Sequence, residues 1–396
     1  MIHARSPYIV HVDDSGLVDI EFKLYIYTGT KDTDKGTPDY TFAIDAISAE
    51  VTFDISPYIR DFLRTIVPNN VSAYVWVTTE IAKDTGAGLG AFGTYEATQL
   101  ACYGYTEPED GVNYTTYTGR DLETQAGGFN FSGMISSAAA FTTDVPATAW
   151  DDGGTYNWIC RKQGTEMQVP IFIDDSGTSA NVVRFYRTLG GFLTPGNDAA
   201  EIASPVSPRQ TITSADNAES NDNMAYVVIP SVARSFTIFI GSIDTMTVNI
   251  HDIVGDCEDI SRIFFLNKFG VAEEIHFSGR MSEEYSTQSK SFKRSILSSG
   301  TYSKWKHQKT ILSKDATKRV TINSGHYPEG YNEQFKQLLM SEFVWLLPKG
   351  ISIGADNFVP VNILDSNLSY KYRRFDKLIN YELTLEMSHD AINNIK

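Results

Sequence analysis

The amino-acid sequence predicts a mainly β protein, built from antiparallel β-sandwich or roll domains with a few short helices packed at their edges. The chain of 396 residues contains 22 Phe, 21 Tyr and abundant Thr, which are residue types that favour strands. Apolar and polar residues alternate with a period of two in many short segments, whereas only two segments have a helical period. This length corresponds to roughly two or three domains.

The N-terminal domain is predicted over residues 1–108 and consists mostly of strands. In its first clear strand, Phe22, Leu24 and Ile26 alternate with Glu21, Lys23 and Tyr25, which is typical of a half-buried strand. Three segments alternate in this way: residues 21–29 (EFKLYIYTG), 51–55 (VTFDI) and 71–82 (VSAYVWVTTEIA).

A short helix is predicted over residues 57–67, closing one end of this domain. Ser56 suits the N-cap position, Pro57 the first turn, and Pro68 ends the helix. One face of the helix is apolar and is formed by Ile59, Phe62, Leu63 and Ile66.

The segment GAGLGAFG, residues 86–93, has the spacing G-x-G-x-x-G at Gly88, Gly90 and Gly93, which in dinucleotide-binding proteins cradles a pyrophosphate. A strand precedes it, and Glu107 lies near the distance expected for a ribose-binding acid. No helical period follows the glycines, however, so the helix N-terminus that binds phosphate is missing. The sequence instead predicts a glycine-rich connection between strands, whose small side chains allow a neighbouring subunit to approach closely.

The middle region, residues 109–230, is less regular. Residues 166–189 predict a hairpin that turns at DDSG, residues 174–177. Residues 194–222 are rich in Pro, Ser, Asn and Asp and predict a long polar loop, mobile or ordered by a partner.

The C-terminal domain is predicted over residues 231–396, as a sandwich-like arrangement of strands with one helix over 329–341. Residues 262–277 predict a hairpin that turns at residues 267–270, and residues 378–387 (LINYELTLEM) have the clearest period of two in the chain. Two further strands are predicted within SFTIFIG and TMTVNI. The apolar face of the helix is formed by Tyr331, Phe335, Leu338 and Leu339.

Charge divides the chain into two parts. The net charge is -16, and residues 1–250 contain 14 Lys and Arg against 31 Asp and Glu, whereas residues 251–396 contain 19 against 18. The acidic total argues against a general nucleic-acid binder. Within the second part, residues 290–319 contain nine basic side chains and one acid, Asp315. These bases either cover solvent-facing strands or meet an acidic surface on a neighbouring copy; contact with nucleic acid is a less favoured alternative.

The motifs of serine hydrolases, zinc proteases and phosphate-binding loops are absent from the sequence. The loop with Asp32, Asp34 and Gly36 resembles a calcium loop, but Ala43 stands where a bidentate Glu is needed, so a surface turn is predicted. A second group of metal-ligand types has no familiar spacing and predicts a turn after a strand: His251, Asp252, Asp256, Cys257, Glu258 and Asp259. His276, inside an apolar strand, is predicted to be a pleat-facing residue rather than a base.

The sequence therefore predicts no catalytic residues, no cofactor and no metal. The cysteines Cys102, Cys160 and Cys257 are odd in number and far apart, and are predicted to be small buried hydrophobic residues. No apolar run approaches a membrane span, and the first residues lack the apolar core of a signal peptide.

Both ends of the chain resemble virion structural proteins of tailed bacteriophages, specifically tail or connector components of crAss-like and related phages of the Bacteroidetes. The resemblance covers roughly the first 110 and the last 150 residues. The segments that carry it are SPYIVHV, VTFDISPYIRDFL, GYTEPEDGVN, RIFFLNKFGVAEEIHF, NSGHYPEGYNEQFKQLLMSEFVWLL and PVNILDSNLSYKYRRFDKLINYELTLEMSHDAINNI.

The resemblance implies a non-enzymatic structural subunit of a tail ring, hub or connector. Such a subunit assembles in the host cytoplasm, becomes part of the virion tail, and contacts copies of itself and other tail or connector proteins. Two alternatives remain: a carbohydrate-binding or receptor-binding β-sandwich with Trp76, Trp150 or Trp158 in an exposed platform, and a glycan or peptidoglycan hydrolase.

Overall fold

A computed structural model of the chain shows a mainly β protein, which confirms the predicted fold class. The structure describes residues 2–29, 32–67, 74–105, 139–141, 157–174, 181–187, 209–212, 222–240, 243–253, 261–294, 297–298, 301–302, 305, 307–347, 357–365, 367–370 and 378–391. Most strand pairs are antiparallel, and two of the described pairs are parallel. Neither α-helix of the described part has the length or hydropathy needed to traverse a bilayer.

The N-terminal unit contains one five-stranded sheet and one two-stranded sheet. Its strands are β1 (Ile2–His3), β2 (Ile9–Asp13), β3 (Asp19–Tyr27), β4 (Tyr40–Asp45), β5 (Glu50–Asp54), β6 (Tyr74–Asp84) and β7 (Gly93–Cys102). The large sheet has the order β1-β7-β6-β3-β4, and β2 pairs with β5. Strands β6 and β7 are antiparallel neighbours, so the glycine-rich segment connects two strands as predicted.

Helix α1 (Ser56–Ile66) confirms the predicted N-terminal helix, with Pro57 in its first turn. The predicted N-cap is wrong by one residue: Ile55 occupies the N-cap position, and Ser56 donates its hydroxyl hydrogen to the carboxylate of Asp54, 3.0 Å away. That carboxylate also accepts the backbone N–H groups of Tyr8 and of Ser56, the first residue of the helix, so it satisfies one of the free N–H groups at the helix start. Pro68 lies outside the described residues.

Both faces of the large N-terminal sheet are buried. One face packs with β2, β5 and α1, and this core also includes Phe264, Trp345 and Leu347 from the C-terminal part of the chain. The other face has an aromatic cluster in which Phe269 and Val271 cover the sheet. Five buried residues of the sheet belong to this cluster with Phe269 and Val271: Tyr25, Tyr27, Trp76, Leu100 and Cys102. The half-buried strand predicted around residues 21–29 is therefore buried on both faces where Tyr25 and Tyr27 lie.

The middle region contributes strands to two sheets. These strands are β8 (Ala139–Phe141), β9 (Asn157–Lys162), β10 (Met167–Asp174), β11 (Asn181–Tyr186), β12 (Arg209–Ile212), β13 (Asp222–Ile229), β14 (Ser235–Ile240) and β15 (Ile243–Ile253). One sheet has the order β13-β10-β8 and the other β12-β11-β14-β15-β9. Strands β14 and β15 thus pair with strands of the middle region, on the other side of the predicted boundary at 230/231.

The hairpin predicted over residues 166–189 is wrong, because its two halves lie in different sheets. Strand β10 pairs with β13 along all eight of its residues, while β11 pairs with β12 and β14. The predicted loop over residues 194–222 lies mostly outside the described residues; where it is described, Arg209–Ile212 is a strand.

The C-terminal unit contains one seven-stranded sheet, two two-stranded sheets and one α-helix. Its strands are β16 (Ser261–Leu266), β17 (Ala272–Phe277), β18 (Met281–Lys293), β19 (Leu297–Ser298), β20 (Thr301–Tyr302), β21 (Lys309–Asn323), β22 (Tyr327–Pro328), β23 (Val344–Leu347), β24 (Val359–Ile363), β25 (Leu378–Ile379) and β26 (Glu382–Met387). The sheet order is β17-β16-β23-β24-β26-β21-β18. The hairpin predicted to turn at residues 267–270 is confirmed.

Helix α2 (Asn332–Met340) confirms the second predicted helix, but the turn before it, Glu329–Tyr331, is a 3-10 helix. Phe335 and Leu338 are fully buried, and the helix also buries three amide side chains: Asn332, Gln334 and Gln337. The LINYELTLEM segment alternates as predicted within β26, yet it is two strands rather than one. The break falls at Asn380, whose side chain bonds that of Asn323 at 2.9 Å.

Candidate assembly surface

A two-stranded ribbon extends from the edge of the C-terminal sheet. Strand β21 pairs with β26 only over Arg319–Asn323, and the backbone N–H of Ala391 bonds the carbonyl of Ala316. Beyond that point, residues 288–293 of β18 pair with residues 309–315 of β21. We call this ribbon the β-arm. At about 3.3 Å per residue, it is roughly 20 Å long.

The local sequence explains why the β-arm leaves the sheet. Strand β18 reads MSEEYSTQSKSFK and has no buried residue, so it brings nothing to pack against a core. Strand β21 buries Val320 and Ile322 near its end but is mostly exposed over residues 309–315. A bulge between Lys290 and Ser291 leaves Leu312 without a directly paired residue. An isolated two-stranded ribbon is only marginally stable in water.

Large apolar side chains on and next to the β-arm lie in solvent. Their exposed fractions are 45% for Phe292, 57% for Ile311, 71% for Leu312 and 92% for Trp305. Ile311 pairs with Ser291 and Phe292 with Thr310, so Ile311 and Phe292 lie on opposite faces of the ribbon and both faces have an exposed apolar side chain. A group of exposed apolar side chains among polar neighbours is typical of a protein contact surface.

The β-arm is also basic. Its two strands contain four lysines and one acid, Asp315; the lysines are Lys290, Lys293, Lys309 and Lys314. Charges are compensated at the root of the ribbon, where Lys318 bonds Glu283 at 2.8 Å; this hydrogen bond raises the pKa of Lys318. The side chain of Lys318 also lies over the ring of Tyr285. The basic character therefore belongs to the distal part, near the exposed apolar side chains.

At one end of the N-terminal unit, aspartates stand in a row across three strands. Asp19 of β3 is directly opposite Asp45 of β4 on one side and Asp84 of β6 on the other. In the neighbouring two-stranded sheet, Asp13 is directly opposite Glu50. Like charges directly opposite one another destabilise a sheet, so a functional reason for this arrangement is expected. We call residues 13–19, 45–50 and 84–90 the acidic end.

Two acids at this end have partners within the chain. Lys83 donates to Asp14 at 2.9 Å, and this interaction lowers the pKa of Asp14. The carboxylate of Asp84 accepts the backbone N–H groups of Gly86 and Gly88, at 2.7 and 3.0 Å. Both amides belong to the glycine-rich segment 86–93, so the carboxylate of Asp84 holds the connection between β6 and β7.

A buried ionic cluster lies where β17 meets β9 and β10. Glu274 bonds Arg262 and His276 Nε2, and its other oxygen accepts the backbone N–H of Gln168 at 2.7 Å. Burial alone would raise the pKa of Glu274, but His276 and Arg262 outweigh it, and the pKa lies below its ordinary value. All groups of Glu274 and His276 are inaccessible to solvent. The cluster therefore joins strands rather than offering an acid or base to a substrate.

A small cavity adjoins this cluster and is lined by Glu273, Glu274, Tyr331 and Gln334, among others. Gln334 is buried, and neither atom of its amide has a hydrogen-bond partner in the described protein. The cavity has room for about one water molecule, which is too small for a metabolite.

The structure also places the other residues that the sequence singled out. Trp76 is buried and donates its indole N–H to the carbonyl of Gly29 at 3.0 Å, so its suggested place in a glycan platform is wrong. Trp150 and the side chain of Trp158 lie outside the described part. Asp32 and Asp34 belong to a surface turn, and the hydroxyl of Tyr27 accepts the N–H of Asp32.

The metal-ligand types around residue 251 do not form a site in the described part of the chain. Asp252 accepts two hydrogen bonds from Arg161, at 2.9 and 3.0 Å, and residues 254–260 lie outside the described part. No group of three or more His, Cys, Asp or Glu suited to a metal occurs among the residues described. Cys102 and Cys160 are buried as predicted, and burial raises the pKa of each to about 12. Cys257 is outside the described residues.

Comparisons with known proteins give no identity. No model of a known protein family matches the sequence, and no curated protein matches it.

The sequence signals that could have revealed the β-arm were the basic run over residues 290–319 and the polar composition of β18. The acidic end could not be found in the same way, because its residues come together only through strand register.

Proposed function

We propose that the protein is a non-enzymatic structural component of a phage virion tail, a ring, hub or connector subunit. It assembles with copies of itself and contacts other tail proteins. The observation that carries this proposal is the β-arm, a projecting basic ribbon with exposed Ile311 and Leu312. An exposed apolar ribbon is costly in an isolated chain and favourable at an interface between subunits.

Three further observations support assembly over catalysis. The acidic end brings like charges together at a cost to stability, and an oppositely charged partner relieves that cost. The ionic cluster around Glu274 is sealed from solvent. The small cavity beside this cluster, lined by Glu274 and Gln334 among others, has room for about one water molecule. The role in a virion tail rests on the resemblance of the two ends of the chain to tail and connector proteins.

The first test is quantitative mass spectrometry of purified, sedimented particles from a host lysate. We expect the chain to be present at a fixed ratio to the portal protein, because a ring or hub subunit has a constant copy number. Absence from the particles would refute the role in the virion and favour a free glycan-binding or hydrolytic protein.

The second test measures self-assembly of the purified full chain by sedimentation over a range of concentrations. We expect wild-type chains to associate and the variant I311S/L312S to remain monomeric, because the substitutions remove exposed apolar contacts without touching a core. The matched control is V232S, which changes an exposed apolar residue outside the β-arm. Equal association of the wild type and I311S/L312S would show that the β-arm is not the contact.

A further inference from the structure

We propose that the β-arm of one copy docks on the acidic end of the N-terminal unit of a second copy. This inference rests on the proposed function, because it names the surface with which the assembling arm makes contact. Four acids of that end have no hydrogen bond or ion pair through their side chains among the described residues: Asp13, Asp19, Asp45 and Glu50.

The acidic end also has exposed apolar side chains, so it offers apolar contacts as well as negative charge. Among the described residues of the N-terminal unit, the exposed large hydrophobic ones are Val18, Ile47 and Leu89, at 50%, 80% and 46%, and all three lie at this end. Backbone hydrogen bonds hold their segments together: the N–H of Val18 bonds the carbonyl of Asp84, and the N–H of Ala46 bonds the carbonyl of Val18. Leu89 is bridged to Asp84.

The two surfaces are therefore complementary in both charge and polarity. The β-arm offers exposed aliphatic and aromatic side chains among lysines, and the acidic end offers exposed aliphatic side chains among carboxylates. Each surface alone has an unfavourable feature, either solvent-exposed apolar area or unpaired like charges, and contact between them relieves both. A nucleic acid matches the lysines but leaves Ile311 and Leu312 without an apolar partner, so a second copy fits better.

The arm and the acidic end are different parts of one chain, so two arrangements satisfy the proposed contact. In a reciprocal dimer each arm docks on the acidic end of the other copy; in a head-to-tail arrangement every pair keeps a free arm and a free acidic end, and the contact repeats until a ring closes or a filament grows. The number of copies depends on the rotation per subunit.

Two chains that each have one added surface cysteine, with Cys102 and Cys160 buried, test the contact directly. We expect I47C and L312C, each in a C257S background, to form disulfide-linked heterodimers when they are mixed and oxidised. The control mixture, V232C with L312C, is expected to stay near the background level. All three positions are exposed in the single chain, so the substitutions leave the cores intact. Equal cross-linking in both mixtures would overturn the proposed contact.

A charge exchange separates this inference from the proposed function. We expect D19K/D45K and K290E/K293E each to lose self-association, and the chain that combines all four changes to regain it, because the opposite charges again face each other. Recovery by the combined chain excludes misfolding as the cause of the loss.

The remaining outcomes are decisive as well. If D19K/D45K associates like the wild type while I311S/L312S does not, the arm is a contact but docks elsewhere; the proposed function then stands and this inference fails. If the wild type neither self-associates nor occurs in particles, the proposed function itself fails. If the wild type instead binds a DNA duplex and K290E/K293E does not bind it, the arm binds nucleic acid and the inference is overturned.

Discussion

The close approach of Gly104 and Gly270 allows a quantitative prediction about the contact between the N-terminal and C-terminal units. Gly270 lies in the β16–β17 turn with a φ of +80°, and a Cβ atom there would lie 2.5 Å from backbone atoms of Tyr103 and closer still to the nitrogen of Gly104. A Cβ atom on Gly104 would in turn lie 2.6 Å from the carbonyl oxygen of Lys268. Only glycines allow these two backbones to come so close.

Gly164 is a matched control, because its φ of +79° is nearly the same and nothing lies within 4 Å of the added Cβ. Gly164→Ala therefore costs only the left-handed backbone conformation, about 1–2 kcal/mol. Gly270→Ala has that same cost and must also separate two backbones, which adds about 1–3 kcal/mol by analogy with overpacked cores.

The assay is urea unfolding of both variants and the wild type, followed by Trp fluorescence, with limited proteolysis to report opening between the N-terminal and C-terminal parts. We expect Gly270→Ala to be the less stable variant and to be cleaved faster near residue 105. Equal loss of stability in the two variants would refute the close-approach reasoning, because the backbone conformation alone would then account for both.

Three more predictions concern buried or paired polar groups. Burial lowers the pKa of His3 from 6.5 to about 3. Between pH 3 and pH 6.5 the unfolded chain therefore binds a proton at His3 and the folded chain does not. The contribution of neutral His3 to the free energy of unfolding is full above about pH 6.5 and falls below it. Lowering the pH from about 7 to about 5 should remove about 2 kcal/mol through this group, seen as a weaker pH dependence of unfolding in His3→Leu. Arg161→Met leaves Asp252 without its buried partner and should cost about 3–5 kcal/mol in urea unfolding, whereas Lys318→Met at the exposed arm root should cost less than about 1 kcal/mol. Asp84→Ala should speed amide hydrogen exchange at Gly86 and Gly88, and unchanged exchange would show that the carboxylate does not hold the hairpin.

Local periodicity predicted both helices and strands with an alternating apolar pattern, such as β3 and β5, but it did not predict the polar strand β18. The helix over residues 56–66 is an example: Ile59 and Leu63 are fully buried, as its apolar face requires. Strand partners were less predictable. Strands β10 and β11 are adjacent in sequence and separated by turn residues, yet each finds its neighbours elsewhere in the chain. Nothing local encodes that choice.

The sequence also did not predict that the second face of the large N-terminal sheet is buried. Tyr25 and Tyr27 alternate with apolar residues and look solvent-facing, and they are covered only because Phe269 and Val271 arrive from a distant turn. The candidate site shows the same division. The basic run could be recognised directly, but the opposition of Asp19 to Asp45 depends on the register of β3 and β4.

The covering of the N-terminal sheet by the turn around Phe269 has a consequence for how the protein is made. During synthesis, the first sheet is complete about 160 residues before its covering turn, a delay of roughly 10–30 s at about 5–20 residues per second. Trp345 and Leu347, which contribute to the core on the other face, are synthesised later still. Aromatic side chains of the first sheet therefore stay uncovered until the C-terminal part of the chain has been made.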